Sequence, residues 1–446
     1  MATQKGKSKA KLAAKPKAVV KHRVASPSPQ KAKAKPATRK PAHPPAKPKA
    51  AAKPARPQAP AAKGKTPKSA PQKSGKPSIE KKILPVPKPP LPQAKSPEKP
   101  VKTVQKVVRT PEVIPSPDST KASGVGIKFL VSVAQAIKDA VYPFAKSVRG
   151  REIVDEATSG DVTFQIDRVA EKALQMHLRA ANLPLSYYSE DEGYSTFTSK
   201  QPKHLLIVDP IDGTRAAKSG FEGCVVSVAS TRVLERPTMA DIDCACVMEI
   251  MGDRIFLAER GKGARYYADG HLKRPKLSQN TELEAMSWSM TIPARPAELI
   301  FPTAARIIDL SSLKGGFFSC NSTSYSLTRL LTNQLDACVD VANRYYRDIP
   351  ERVEDYFINA GRGKIIGIAP YDMAAALLIA QEAGCRVTDA YGNGFDDLLL
   401  LDSSKGNHRS IIAASNAALH EKMLNFFDTR IKQYEALLTR HMPQKV

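Results

Sequence analysis

Residues 204–215 read HLLIVDPIDGTR, an apolar run from Leu205 to Val208 delivered into two carboxylates, Asp209 and Asp212, and then a Gly213-Thr214 pair. Two carboxylates this close repel, and they stay protonated or costly unless positive charge compensates them. A divalent cation is the simplest source of that charge. Other acids stand in comparable settings: Glu190 within Ser189-Glu190-Asp191-Glu192-Gly193, a turn ahead of the strand; Asp167, at a helix entrance after Asp161-Val162-Thr163; and Asp372, in the first turn of a helix, where the dipole favours an anion. Every donor is oxygen and no histidine stands beside them, a set that selects Mg2+ over zinc. Two such ions about 3.5–4 Å apart can orient a water and stabilise the leaving oxygen in phosphoryl transfer. Metal-assisted phosphate hydrolysis is the chemistry these residues point to.

Such acids need a frame. Ligands gather beyond the carboxyl ends of buried strands, so a strand over Leu205–Val208 that breaks at Asp209-Pro210-Ile211-Asp212 sets two anions at such an edge. Pro210 fixes the backbone between them, Gly213 permits a tight turn, and Thr214 opens a helix whose N–H groups face an anion. Apolar spacing predicts helices over 126–148, 167–181, 371–382 and 417–438, the third entered through Pro370 and ended by Gly384. Strands are predicted at 205–208, 224–231, 243–250, 254–257, 337–341, 386–388 and 411–414, with a hairpin turn at Met251-Gly252-Asp253. Alternating helices and strands without a fixed repeat argue for an α/β fold of layered sheets and helices.

Charge divides the 446 residues unequally. Residues 1–122 hold 31 of the 69 Lys and Arg but 4 of the 43 Asp and Glu, together with 24 of the 36 prolines and no Phe, Trp, Tyr or Cys. The remainder carries 38 basic against 39 acidic residues, so the net charge of +26 belongs to the first segment. Such a segment cannot bury enough apolar surface to offset the entropy of ordering, and it is expected to be a disordered, extended, basic tail. Its repeats (AKAKP, KPKA, AAKP) resemble linker-histone-like tails in composition, and nucleic acid is the expected partner. The same physics would serve polyphosphate or an anionic membrane, and a solubilising spacer is the plainer alternative. Six scattered cysteines without zinc spacing, no apolar stretch of membrane length and no signal-like start lead to an expected cytoplasmic protein with reduced thiols.

Four motifs taken together resemble the inositol monophosphatase family within the wider lithium-sensitive, magnesium-dependent phosphatases. They are Asp161-Val-Thr-Phe-Gln-Ile-Asp167-Arg-Val-Ala-Glu171; Ser189-Glu190-Asp191; Asp209-Pro-Ile-Asp212-Gly-Thr214; and Tyr371-Asp372-Met-Ala-Ala with Glu382-Ala-Gly384. The likeness spans residues 123–438 and implies a catalytic domain over 123–446 with an inositol monophosphatase/fructose-1,6-bisphosphatase-like fold, an α/β sandwich with one mostly antiparallel and one mixed sheet. It implies that Glu190, Asp209 and the carbonyl of Ile211 hold a first Mg2+ and that Asp209, Asp212 and Asp372 hold a second, two or three ions in all. By the same resemblance Glu190 activates water, Asp167 and Thr214 form a supporting pair, and the Gly213 and Thr214 amides hold phosphate oxygens. Substrate contacts are expected from Asp212, from Ser322 and Thr323, and from Asp340.

The pattern departs from the family in places. Gly-Glu-Glu becomes Ser189-Glu190-Asp191, Trp-Asp becomes Tyr371-Asp372, and the small segment facing substrate becomes Asn321-Ser322-Thr323-Ser324. Between Asp340 and Asp372 lies a longer segment with Arg344, Arg347, Arg352, Arg362 and Lys364, which would contact a second phosphate or carboxylate, or pack at a subunit boundary. The implied activity is a phosphomonoesterase acting on a small polyol or sugar phosphate, often a homodimer, with inositol 1-phosphate leading. Fructose 1,6-bisphosphate follows, then 3′-phosphoadenosine 5′-phosphate. The alternative from another class is a nucleic-acid-binding protein whose phosphatase fold has lost activity.

Overall fold

A computed structural model of the chain describes residues 124–145, 153–156, 162–197 and 200–441, all within one unit. The expected tail of residues 1–122 and Asp161 lie outside these residues. The described chain opens with α1 (Ile127–Val141), the short strands β1 (Ile153–Glu156) and β2 (Val162–Phe164), and α2 (Gln165–Ala181). The hairpin β3 (Leu185–Ser189) and β4 (Gly193–Thr196) follows, then β5 (His204–Asp212), the single turn α3 (Thr214–Ala217), β6 (Val225–Thr231), β7 (Ile242–Glu249), β8 (Ile255–Glu259), β9 (Ala264–Ala268) and β10 (His271–Lys273). The second half holds β11 (Ser287–Met290), α4 (Ala297–Ser311), β12 (Gly316–Ser319), α5 (Thr323–Leu331), β13 (Ala337–Asp340), α6 (Ala342–Asp348), α7 (Pro350–Ala360), α8 (Pro370–Ala383), β14 (Arg386–Thr388), β15 (Ile411–Ala414) and α9 (Ala417–His441). Among the described residues no helix is long and apolar enough to cross a membrane.

Two large sheets organise these elements, beside the antiparallel two-stranded pair β1-β2. One has eight strands in the order β10-β9-β8-β7-β6-β5-β3-β4, antiparallel except where β3 lies parallel to β5. The other has five in the order β12-β11-β13-β15-β14, parallel across β12, β11 and β13 and antiparallel beyond. The expected pairing of one mostly antiparallel and one mixed sheet is what the chain forms.

Each sheet is covered on both faces, and this explains the apolar runs. Along β5, Leu205 and Ile207 face a core shared with α5, α8 and the five-stranded sheet, while Leu206 and Val208 face α1 and α2. Period-two alternation thus gives a continuous apolar string when neither face meets water. The outer face of the five-stranded sheet, with Trp288 and Ile412, packs on α4, α6, α7 and α9. The layers therefore run helices, sheet, helices, sheet, helices. α8 lies in the middle one, and its residues from Pro370 to Ala380 are buried all round apart from Asp372, as a helix between two sheets requires.

Two boundaries differ substantially from expectation. α1 ends at Val141 rather than 148, because Pro143 cannot continue the ladder. β5 runs past Val208 to Asp212, with its register to β6 shifting between Asp209 and Asp212; Pro210 has no N–H for the ladder, and the strand bulges rather than ends. The segment between Asp340 and Asp372 is mostly helix, α6 and α7. Its Arg344 is buried, donating to Asp348 (2.9 Å) and Asp428 (2.8 Å) and stacking over Tyr391, and so fastens α6 to α9.

Glu171 is an acid folded into this framework. It is buried on α2, its Oε1 accepting from the Tyr187 hydroxyl at 3.2 Å, and burial pushes its carboxyl up to about 7. A raised pKa means that the fold prefers the protonated form, so this stabilisation is present below the ordinary carboxylate range and is lost as pH rises through about 7. Glu171→Gln is expected to stabilise the protein at pH 8 by roughly 2–3 kcal/mol in urea unfolding. It should give no gain at pH 4. Equal differences at the two pH values would contradict the assignment.

Candidate active site

The bulge in β5 and the starts of three helices supply the site. Asp209 is buried, and its Oδ1 accepts from the Ile211 amide at 3.0 Å. Asp212 reaches the start of α5, where its Oδ2 accepts from the Ser324 amide at 2.6 Å. Asp372, in the first turn of α8, takes the Ala369 amide on Oδ2 at 2.7 Å, and Asp167, in the first turn of α2, takes the Phe164 amide at 2.7 Å. These are amides that a helix leaves unsatisfied at its N-terminus, and a carboxylate there is favoured by the dipole. Thr214 donates to Asp167 Oδ1 at 3.0 Å and lies 3.1 Å from the Ile211 carbonyl, which makes the expected Asp167–Thr214 pair a hydrogen bond across 47 residues of sequence.

Gly213 turns the chain between these groups. Its φ is +96°, and a Cβ there would stand 2.4 Å from the Gly223 carbonyl oxygen. The helix expected at Thr214 is a single turn of four residues.

One cavity collects most of the candidates. Its wall includes Glu190, from the turn joining β3 to β4, with Asp209, Ile211, Asp212, Gly213, Thr214, Thr323 and Asp372. Asp167 supports it from behind through Thr214. Ser322 is buried as the N-cap of α5, its Oγ accepting from the Tyr325 amide at 2.9 Å, and does not reach the wall.

Asp340 is not brought to the cavity either. It is buried at the end of β13, with Oδ2 taken by Arg295 at 2.8 Å and Oδ1 by the Ala342 amide at 3.2 Å. Arg295 stands on the wall in its place, with Thr291, Pro293, Ile366 and Gly367. Sequence reasoning missed these residues because they belong to connections without a motif. The basic residues expected from the segment before Asp372 are absent from the wall among the described residues, whereas Arg215 and Arg295 belong to it.

The electrostatics bear on metal binding. Burial, and then the charges of Glu190, Asp212 and Asp372, push the Asp209 carboxyl well above the ordinary range. Burial pushes Asp212 up to about 6 despite donors from the start of α5. Among the described residues no group of three or more His, Cys, Asp and Glu is set, as it stands, to hold a metal ion. Asp209, Asp212 and Asp372 each give one oxygen to a backbone amide. The donors nonetheless suit Mg2+: four carboxylates and the Ile211 carbonyl, all hard oxygens on one cavity, with charge that a cation would relieve.

Residues 127–431 match the model of the inositol monophosphatase family, and the chain belongs to that family. It is a phosphatase of the inositol monophosphatase superfamily, whose members are generally Mg2+-dependent. A fructose-1,6-bisphosphatase/inositol-1-monophosphatase of Methanothermobacter thermautotrophicus is 25% identical over 303 residues, 66% of this chain and 93% of that protein. A bifunctional NADP phosphatase/NAD kinase of Methanococcus maripaludis is 24% identical over 316 residues, 68% of this chain, and the match spans only 49% of that longer protein. Among solved structures, the extragenic suppressor protein suhB of Bartonella henselae superposes with a TM-score of 0.50 at 21% identity, covering 67% of this chain and 96% of that one, a likeness of fold.

Gly213→Ala tests the turn. The substitution places a side chain at positive φ and against the Gly223 carbonyl, so it should cost at least about 2 kcal/mol of stability in urea unfolding. An unchanged midpoint would mean that the turn relaxes freely.

Proposed function

We propose that residues 123–446 form a Mg2+-dependent phosphomonoesterase that hydrolyses a small polyol or sugar phosphate with water. The observation that carries this reading is the assembly of Glu190, Asp209, Asp212 and Asp372, from three separate stretches of sequence, on one cavity, with the Asp209 carboxyl raised by burial and then by its acidic neighbours. Glu190, Asp209 and the Ile211 carbonyl would hold one ion, and Asp209, Asp212 and Asp372 a second. The cation, when bound, supplies Lewis-acid charge to the phosphoryl oxygens and acidifies water. Glu190 then orients the attacking water and accepts its proton. Thr214, held by Asp167, fixes the turn whose Gly213 and Thr214 amides receive phosphate oxygens. Thr323, on the wall, is the contact from α5 to the substrate.

Inositol 1-phosphate is the reference substrate, with fructose 1,6-bisphosphate and 3′-phosphoadenosine 5′-phosphate as the other members of a panel. In this reading the protein is cytoplasmic and dimeric, and residues 1–122 form a basic arm that binds nucleic acid through lysine-phosphate contacts. The arm's excess of 31 basic over 4 acidic residues is the observation behind that second element.

One set of measurements separates the two. Phosphate release from the panel with Mg2+ should fall at least about 100-fold in Asp209→Asn and Asp212→Asn, since removing a charged partner of this kind costs several kcal/mol in the transition state. Equal release by all three proteins would remove the assignment. Deletion of residues 1–122 should leave turnover intact and abolish salt-sensitive DNA binding; unchanged DNA affinity would remove the role given to the arm.

A further inference from the structure

Arg295 is a cavity residue whose position the catalytic reading leaves unexplained. It is presented by a tight turn: the Arg295 amide donates to the Ile292 carbonyl at 3.0 Å, with Pro293 and Ala294 between them. Ala294 has φ of 56° at the place where a type II turn ordinarily takes glycine. Left-handed backbone at a residue with a side chain is strained, and such strain persists where the surroundings enforce it. The turn is anchored on both sides, by the Thr291 amide on the Val339 carbonyl at 3.0 Å and by the start of α4 just after Arg295.

The side chain is equally fixed. Its Nε donates to Asp340 Oδ2 at 2.8 Å and its Nη1 to the Pro293 carbonyl at 3.0 Å, and the side chain as a whole is about nine-tenths buried. Both carboxylate oxygens of Asp340 are thereby engaged, one by Arg295 and one by the Ala342 amide, so this acid has turned from the cavity to the arginine. Among the described residues Nη2 meets no hydrogen-bond acceptor. A planar, permanently charged fork held in one orientation loses little entropy on meeting a phosphate or carboxylate. The same cavity carries the acid cluster at which the scissile phosphate and its cation would sit. Its wall thus offers two different environments, one of carboxylates and one of guanidinium.

We propose that Arg295, held in place by Asp340, is a specificity-determining residue that takes a second anionic group, phosphate or carboxylate, of a substrate whose scissile phosphate lies among Glu190, Asp209, Asp212 and Asp372. The inference rests on the phosphatase reading above and names the substrate class of that site: small phosphate esters with a second anion, in preference to neutral polyol monophosphates. Removing the arginine alone would strand a buried carboxylate. The test therefore uses the double variant Arg295→Gln/Asp340→Asn, which leaves a neutral hydrogen-bonding pair, beside Asp340→Asn alone, which keeps the guanidinium.

The readout is the ratio of kcat/KM for fructose 1,6-bisphosphate to that for inositol 1-phosphate, measured on the full chain with Mg2+ after thermal melting confirms folding. The wild-type ratio is expected above one. The double variant should lower it at least about tenfold, through a higher KM for the bisphosphate with kcat moving little, as loss of one charge-assisted contact predicts. Asp340→Asn should keep the ratio within about threefold of wild type, because the positive charge remains. A wild-type preference for inositol 1-phosphate, or a ratio that the double variant leaves unchanged because both substrates suffer alike, overturns the proposal while the phosphatase reading stands. If neither compound is turned over, the calorimetric Kd ratio for the same two compounds decides on Arg295 by the same tenfold criterion, and the phosphatase reading falls when 3′-phosphoadenosine 5′-phosphate is inert as well.

Discussion

The constraint on which the rest depends is the repulsion among carboxylates gathered in a buried place. Asp209 is enclosed, and the charges of Glu190, Asp212 and Asp372, all of the same sign, add to burial in raising its carboxyl. The fold answers part of this cost with its own backbone. The starts of α5 and α8 each lend an amide to one of these acids, Ser324 to Asp212 and Ala369 to Asp372, and the bulge lends the Ile211 amide to Asp209. Helix N-termini carry partial positive charge, and aiming them at one cavity lowers the cost of keeping acids there. What remains is the share that a divalent cation supplies.

The layered architecture makes that convergence available. α5 and α8 lie between the two sheets, so their starts can meet the end of β5 while their flanks remain in a continuous apolar core. Ser324 joins the parts: its amide holds Asp212, and its hydroxyl donates to the Asp372 carbonyl at 2.7 Å. Asp212 and Asp372, 160 positions apart in sequence, are thus tied to each other through one residue of α5.

Much of this was legible in the chain itself. The period-two strands, the Pro370 entrance and Gly384 exit of α8, and the acids as a group follow from local patterns, and the Thr214–Asp167 pair was implied by motif resemblance. α5 was not legible as a helix, because TSYSLTRLL looks polar yet is buried. Its polar groups satisfy themselves locally, Ser326 on the Ser322 carbonyl and Thr328 on the Tyr325 carbonyl, while Arg329 pairs with the buried Glu249 at 2.6 Å. Asp340 was expected to face substrate, but its partner Arg295 comes 45 residues earlier, and no local rule links the two. Likewise the arginines before Asp372 suggested an anion site by composition, whereas Arg344 is consumed in holding helices together.

The central claim is that these acids tolerate one another because Mg2+ completes the site, and isothermal calorimetry of Mg2+ against the full-length, metal-stripped protein tests it most directly. The account predicts saturable uptake that Asp209→Asn abolishes while the variant remains folded. Wild-type protein that takes up no Mg2+, or takes it up equally well without the Asp209 carboxylate, would contradict it.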